Sequence, residues 1–153
     1  MNQASFDAHL ANAKTVRARE LLREGGYTCV CCSDTETLTE RARGVAPLMR
    51  LVDQNKSLRG FCAADKVVGR AAAFLYVLLE VEELYAEVIS EAAAEVLCRY
   101  RIPFFAESTV PAIRNRTGDG FCPMETATRA VETPEMALEV LRQTLKRLKA
   151  SQS

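Results

Sequence analysis

The sequence predicts a mixed α/β sandwich in which an antiparallel β-hairpin precedes strand–helix–strand units. Two β-rich segments, 27–33 and 37–40, flank the polar stretch 34–36, a pattern typical of a hairpin. Three further strand-like segments follow at 58–63, 84–89 and 103–107. Helical patterns separate these segments, and this alternation favours right-handed βαβ units with parallel strands.

The chain length and the net charge limit the number of domains and the kinds of partner that we expect. A chain of 153 residues has the commonest size of one domain, so we expect a single domain over 1–153. Its 20 Lys and Arg balance its 20 Asp and Glu, so we expect neither a nucleic-acid nor a membrane partner. The N-terminus lacks a secretory signal, and the apolar segment 67–79 is too short to span a bilayer. We therefore expect a cytoplasmic location.

The first elements are read from composition and periodicity. Segment 6–24 is rich in helix formers, and Gly25-Gly26 is suited to end an N-terminal helix within 1–26. After the hairpin, apolar residues at helical spacing predict a second helix over 45–54, with Pro47 in its first turn.

The middle of the chain predicts the parallel unit. The apolar segment 58–63 ends at Asp65, which we interpret as the N-cap of a helix with Lys66 at its first position. That helix is apolar nearly all round, which predicts burial on more than one side. A strand over 84–89, an N-cap at Ser90 and a helix over 91–99 follow.

The last third contains a loop and two helices. Segment 110–120 is too long and too polar for a tight turn, so it predicts a sizeable loop. Cys122-Pro123 is suited to begin a short helix, with Glu125 as its capping-box acid. Thr133 and Pro134 predict the start of a C-terminal helix over 133–150.

The joints between strands and helices are the expected place for a ligand, because helix N-termini point there. Lys66 and Arg70 would lie on one helical face beside Asp65, where they could hold a phosphate or carboxylate. Gly69 would allow a ligand or backbone to approach closely. The alternative is that Asp65 only caps the helix and Lys66 is solvated.

Cys122 is the candidate nucleophile. A thiol at a helix N-terminus is acidified by the helix dipole and by nearby cations, here Arg114 and Arg116. The alternative is that Cys122 is a small buried hydrophobe, as we assume for Cys62 and Cys98.

The cysteine and histidine pattern argues against a metal site. There are six cysteines, which we expect to be reduced, and one histidine, His9. Cys29, Cys31 and Cys32 lie in one strand-like segment without a converging second pair, so we expect no metal and no cofactor. A Cys–His catalytic pair lacks its histidine, and no glycine-rich phosphate loop is present.

Four sequence blocks resemble a bacterial family called domain of unknown function 1893. They are Arg43-Gly-Val-Ala-Pro-Leu48, Ala64-Asp-Lys-Val-Val-Gly-Arg-Ala-Ala-Ala73, Tyr85-Ala-Glu-Val-Ile-Ser90, and Asn115-Arg116 followed by Cys122-Pro-Met-Glu125. The resemblance covers about 27–127 and implies a cytidine-deaminase-like three-layer sandwich with a mixed sheet. It implies motif positions at Asp65, Lys66, Gly69, Ser90, Asn115, Cys122, Pro123 and Glu125.

The resemblance also argues against the deaminase reaction. Deaminases hold zinc with His or Cys at the helix after the hairpin and at the next strand-to-helix joint. The corresponding segments here, 43–45 and 65–69, contain neither residue. The implied fold therefore places a pocket without supplying the metal-dependent chemistry.

Two hypotheses follow from the sequence. In the first, a metal-free enzyme binds a small anionic or nucleotide-like ligand through Lys66 and Arg116, with Cys122 as nucleophile or redox centre. In the second, the chain is a non-catalytic ligand-binding or protein-interaction module in which Asp65, Ser90 and Glu125 are only caps. The sequence leaves open whether the chain is an enzyme and whether it forms an oligomer.

Overall fold

A computed structural model of the chain describes residues 6–114, 120 and 122–151. The helices are α1 (Ala13–Gly25), α2 (Ala46–Asp53), α3 (Arg70–Leu79), α4 (Glu91–Arg99), α5 (Pro123–Thr128) and α6 (Pro134–Ser151). The strands are β1 (Cys29–Cys32), β2 (Thr37–Glu40), β3 (Cys62–Val68), β4 (Glu83–Ser90) and β5 (Phe104–Val110).

The strands form one mixed sheet in the order β2-β1-β3-β4-β5. The hairpin β1–β2 is antiparallel, and β1 is also antiparallel to β3. Strands β3, β4 and β5 run parallel, with α3 and α4 as the connecting helices. The predicted α/β class, the hairpin at one side of the sheet and the βαβ order are therefore confirmed.

Helices cover both faces of the sheet. On one face α1 packs through Ala18 and Leu22 against Val30, Ala64 and Tyr85. The other face packs against the larger apolar core, to which α2, α3, α4 and α6 contribute. Helix α3 lies within this core and also contacts α6, and every residue from 70 to 76 is buried, as its all-round apolar sequence predicted.

The predicted start of the first helix was wrong. Helix α1 begins at Ala13 rather than near Phe6, because the Asn12 side chain accepts the Lys14 N–H and fixes the cap there. Its end was predicted correctly: Gly26 adopts a left-handed conformation with φ 68°. The helix-forming composition of segment 6–24 does not indicate at which residue α1 begins.

The predicted helix start at Asp65-Lys66 was also wrong. Both residues lie within β3, where Asp65 is in register with Cys29 of β1 and Ala86 of β4. Pairing on both sides holds this segment extended, so the helix begins only at Arg70, with Gly69 at the N-cap. Lys66 and Arg70 therefore do not share a helical face.

The strand predicted over 58–63 was misplaced, because β3 covers Cys62–Val68. The boundaries of the other elements differ little from the prediction. Ser90 caps α4 by accepting the Ala93 N–H, and Thr133 accepts the Met136 N–H at the start of α6. Strand β5 extends three residues further than predicted, to Val110. Within the part of the chain that the structure describes, no helix is long and apolar enough to cross a membrane.

Candidate functional site

A cleft of about 230 Å³ lies at the carboxyl ends of the parallel strands. It is lined by Arg70, Ala92, Pro111, Ala112, Glu125 and Arg129. These residues come from the beginnings of α3 and α4, the segment after β5, and α5 with its C-cap. The position agrees with the rule that ligands of open α/β sheets bind beyond the carboxyl ends of the strands.

The Glu125 carboxylate caps α3 from across the fold. Each of its two oxygens lies 2.9 Å from the backbone nitrogen of Arg70, 55 residues earlier in the chain. The Ala71 N–H and the Ser90 hydroxyl also help to lower its pKa. The predicted capping box within α5 was therefore wrong, because this acid satisfies the first N–H of another helix.

Burial raises the pKa of Glu125, while the hydrogen bond from the Arg70 N–H opposes that shift. Both effects have the same origin, because the carboxylate is withdrawn from water in order to reach the positive end of α3. The N-terminus of α3, a potential anion site, already holds an anion of the protein itself.

Residue 69 must be glycine because the Glu125 carboxylate leaves no space for a side chain there, and not because of an unusual backbone angle. A Cβ at Gly69 would overlap the Glu125 side chain, with its Cδ at 2.6 Å, and would lie 3.2 Å from Ile113 Cγ1. The sequence predicted a close approach at Gly69, and the approaching group is a side chain of this chain.

Arg70 ties α3 to the segments around α5. Its Nε donates to the Thr128 carbonyl at 2.9 Å and its Nη2 donates to the Val131 carbonyl. The residue is 7% exposed, and its guanidinium lies 5.0 Å from the Phe74 ring centroid. These two bonds use two of the five N–H donors of a guanidinium.

Asp65 belongs to a separate buried network beneath α3. The Tyr76 hydroxyl donates to Asp65 Oδ2 at 2.6 Å, and the Val67 N–H donates to Oδ1 at 3.2 Å. Cys29 Sγ lies 3.2 Å from the Tyr76 oxygen. Because the single tyrosine proton is directed at Asp65, the Cys29 thiol is the donor to Tyr76.

Burial raises the pKa of Asp65 from 3.8 to about 6. Burial, followed by the Asp65 charge, raises the pKa of Tyr76 well above its ordinary value, which keeps the phenol a donor. A hydrogen bond with Cys31, together with burial, raises the pKa of Cys29 well above its ordinary value. The sequence indicated neither Tyr76 nor Cys29, since only the strand register brings them to Asp65.

Cys122 is half-buried and packs against the larger core, and it is not among the residues that line the cleft. Its N–H donates to the Ile113 carbonyl, and Pro123 follows as the first residue of α5, as predicted. Lys66 is exposed on β3, away from the helix start predicted for it. Asn115 and Arg116 lie outside the described residues.

Of the predicted site residues, Gly69, Ser90 and Glu125 are brought together, and Arg70 joins them. Nothing in the sequence indicated Arg129 or the wall formed by Ala92, Pro111 and Ala112, because these residues carry no motif. Among the described residues, no group of three or more His, Cys, Asp or Glu side chains converges to hold a metal ion.

Residues 17–145 match the model of a family described as Domain of unknown function (DUF1893). A solved structure of a DUF1893 family protein from Thermotoga maritima is also similar, with a TM-score of 0.80 and 21% identity, over 90% of this chain and 95% of that chain. At this identity the likeness shows the fold alone. No curated protein matches the chain.

Replacing Gly69 by alanine should displace the Glu125 carboxylate and uncap α3. We expect Gly69→Ala to lower the free energy of unfolding by about 2 kcal/mol, the scale of a lost cap plus a steric overlap. In a Glu125→Ala background the same change should cost less than about half of that, because the obstructing side chain is gone. Urea unfolding of the four proteins measures this coupling.

Gly60→Ala is the control for this cycle. Gly60 has φ 84°, and a Cβ at this residue would meet no other atom within 4 Å, so its substitution strains the backbone without touching Glu125. In the double variant, the loss of unfolding free energy from Gly60→Ala should simply add to the loss from Glu125→Ala. Additive costs for Gly69→Ala as well would show that Glu125 is not what excludes a side chain at residue 69.

The raised pKa of Asp65 predicts a stability that falls as the pH rises. Folded Asp65 keeps its proton up to about pH 6, whereas the unfolded carboxyl ionises near 3.8. The folded state therefore binds more protons in this window, and about 3 kcal/mol of unfolding free energy is lost across it. Asp65→Asn should remove this loss, since its amide oxygen still accepts the Tyr76 hydroxyl.

Urea unfolding between pH 4 and 7.5 tests this prediction. The control is Asp34→Asn, which changes an exposed carboxyl and should leave the pH profile of the native sequence in place. Glu125 titrates in the same direction in all three proteins, so the difference between profiles isolates Asp65. Parallel profiles for Asp65→Asn and the native sequence would contradict an elevated Asp65 pKa.

Proposed function

The chain belongs to the family described as Domain of unknown function (DUF1893), and we propose that it binds a small anion in the cleft beyond β3, β4 and β5. The observation that carries this proposal is the charge of the cleft wall. Two arginines, Arg70 and Arg129, line the cleft together with one carboxylate, Glu125, and that carboxylate already accepts the Arg70 N–H. The cleft thus favours a negative ligand.

Arg70 supplies the stronger part of this charge. It is 7% exposed, and its side chain is held in place by two carbonyl acceptors, so little conformational entropy remains to be lost on binding. A buried, fixed guanidinium suits recognition of a carboxylate or phosphate. Ala92, in the first turn of α4, adds the positive end of a second helix to the same wall.

The first hypothesis from the sequence named either a small anion or a nucleotide-like molecule as the ligand. The size of the cleft favours the small anion. Its volume of about 230 Å³ is below the roughly 300–1,000 Å³ of sites that enclose drug-sized molecules. Phosphate or a short carboxylic acid fits this space with little change. The anion would be held by Arg70 and Arg129, in place of the predicted pair Lys66 and Arg116.

We also propose that the α/β fold is a cytidine-deaminase-like sandwich. This assignment is supported by the hairpin, by the sheet order with β3, β4 and β5 parallel, and by the position of α2 between hairpin and β3. The proposed site differs from that of deaminases, because the joint that would hold zinc carries Gly69, Arg70 and the Glu125 carboxylate instead.

We favour binding without a covalent step. Cys122 packs against the core and does not line the cleft, which supports the small-hydrophobe alternative for this residue. Ser90 and Glu125 act as caps, as the module hypothesis expects, and Glu125 in addition borders the ligand space.

Titration with inorganic phosphate at constant ionic strength tests anion binding. In a heteronuclear NMR experiment the amides of Ala92 and Ala112 should shift saturably. Arg129→Gln should weaken the affinity severalfold, less than for a buried charge because Arg129 is exposed. Arg23→Gln, on the opposite face of the sheet, removes an equal charge and should leave the affinity unchanged. Equal weakening by both variants, or no saturable shift in the native chain, would contradict the proposal.

Substitution of Cys122 separates the two sequence hypotheses. We expect Cys122→Ala to retain phosphate affinity within about twofold, because the thiol does not border the ligand. Cys98→Ala is the matched control, since both thiols are half-buried and pack against the same core. Selective alkylation of Cys122 over Cys98 at neutral pH, together with lost function in Cys122→Ala, would instead support the nucleophile hypothesis.

A further inference from the structure

The cleft is lined by two arginines and by a carboxylate that is held at the beginning of α3. Both oxygens of Glu125 accept from the backbone N–H of Arg70. The Arg70 guanidinium, by contrast, donates to the carbonyls of Thr128 and Val131. A wall that attracts anions therefore includes a fixed negative acceptor.

Resting on the proposed function, we propose that Glu125 determines specificity by selecting oxyanions that carry an O–H group, such as hydrogen phosphate, over oxyanions that carry none, such as sulfate. The carboxylate accepts the O–H of the bound oxyanion while Arg70 and Arg129 donate to its unprotonated oxygens. The ligand class is thus a protonated tetrahedral oxyanion.

The acceptor capacity of the carboxylate supports this selection. A carboxylate offers about four lone-pair sites, and the Arg70 N–H, which is shared between the two oxygens, uses two of them, which leaves capacity for a ligand. Its position at the N-terminus of α3 fixes it there, since moving it would leave the Arg70 N–H without a partner. The Glu125 carboxylate therefore stays in place, and a ligand must supply the hydrogen-bond donor that suits it.

The charges around Glu125 favour its role as an acceptor. The charged residues on the elements that wall the cleft are Arg70 on α3, Glu91 in the first turn of α4, Arg114 after β5 and Arg129 after α5. Three of these four are cations, which opposes protonation of Glu125 in the absence of ligand. Burial raises the Glu125 pKa, so a proton shared with a bound oxyanion is tolerated by the carboxylate.

The discrimination follows from hydrogen-bond chemistry. An oxyanion with an O–H makes a charge-assisted hydrogen bond to the carboxylate. Sulfate has no proton at neutral pH, so it would set an anionic oxygen against an anionic carboxylate with no bond between them. The difference of one charged hydrogen bond corresponds to a preference on the order of ten- to a hundredfold.

Competition between anions at pH 7 and fixed ionic strength tests the proposal by calorimetry. The native chain should bind phosphate at least about tenfold more tightly than sulfate. Glu125→Gln keeps an oxygen for the Arg70 N–H and gains an amide donor for the ligand. It should therefore bind sulfate better and reduce the preference to within about threefold. The control Glu91→Gln removes a carboxylate from the neighbouring helix start and should retain the preference.

A ligand series on the native chain tests the same point without any substitution. Arsenate, which carries an O–H at neutral pH, should bind like phosphate, and monofluorophosphate, which carries none, should bind as weakly as sulfate. This series decides the selection even if Glu125→Gln fails to fold.

The outcomes separate the two proposals. Absence of saturable binding by any of the four anions would overturn the small-anion function itself. Equal binding of phosphate, arsenate, sulfate and monofluorophosphate would overturn the selection and leave the anion site in place. A preference that survives in a folded Glu125→Gln protein would overturn the assignment of the selection to Glu125.

Discussion

The hydrogen bonds between the Glu125 carboxylate and the first N–H of α3 are the interaction on which the rest of the cleft depends. They join α5 to α3 across 55 residues of sequence and satisfy a donor that would otherwise lack a partner. They require that residue 69 has no side chain, and they bring α5 close enough for the Arg70 guanidinium to reach the carbonyls of Thr128 and Val131. This one charged contact thus holds α3 and α5 together where they border the cleft.

This contact also places our proposed anion site away from where the sequence suggested it. A free helix N-terminus attracts phosphate or carboxylate, and the predicted spacing of Lys66 and Arg70 was suited to assist it. The structure fills that position with a carboxylate of the chain and turns Lys66 outward on β3. The ligand position that we propose is instead the outer cleft, whose lining contains Arg70 and Arg129 beside Glu125.

The sequence predicted the fold better than the site because the two depend on different kinds of information. The hairpin, the parallel strands and the burial of α3 follow from local composition and periodicity, and these predictions were confirmed. The start of α3 was misplaced because Asp65 and Lys66 resemble a helix cap locally, whereas pairing of β3 with both neighbours keeps them extended. Local signals cannot represent such non-local pairing.

The same limit explains why two acids with similar local sequence signals lie in different surroundings. Asp65 and Glu125 were both predicted as caps; Asp65 is buried, Glu125 is half-buried, and burial raises the pKa of both. Only Glu125 meets a helix N-terminus, whose N–H groups offset the cost of its burial, while Asp65 depends chiefly on one phenol and one backbone N–H. From its raised pKa we therefore expect ionised Asp65 to lower the stability of the fold at neutral pH. Glu125 caps α3 and borders the cleft, so our proposal moves the ligand chemistry that the sequence assigned to the end of β3 to a residue of α5.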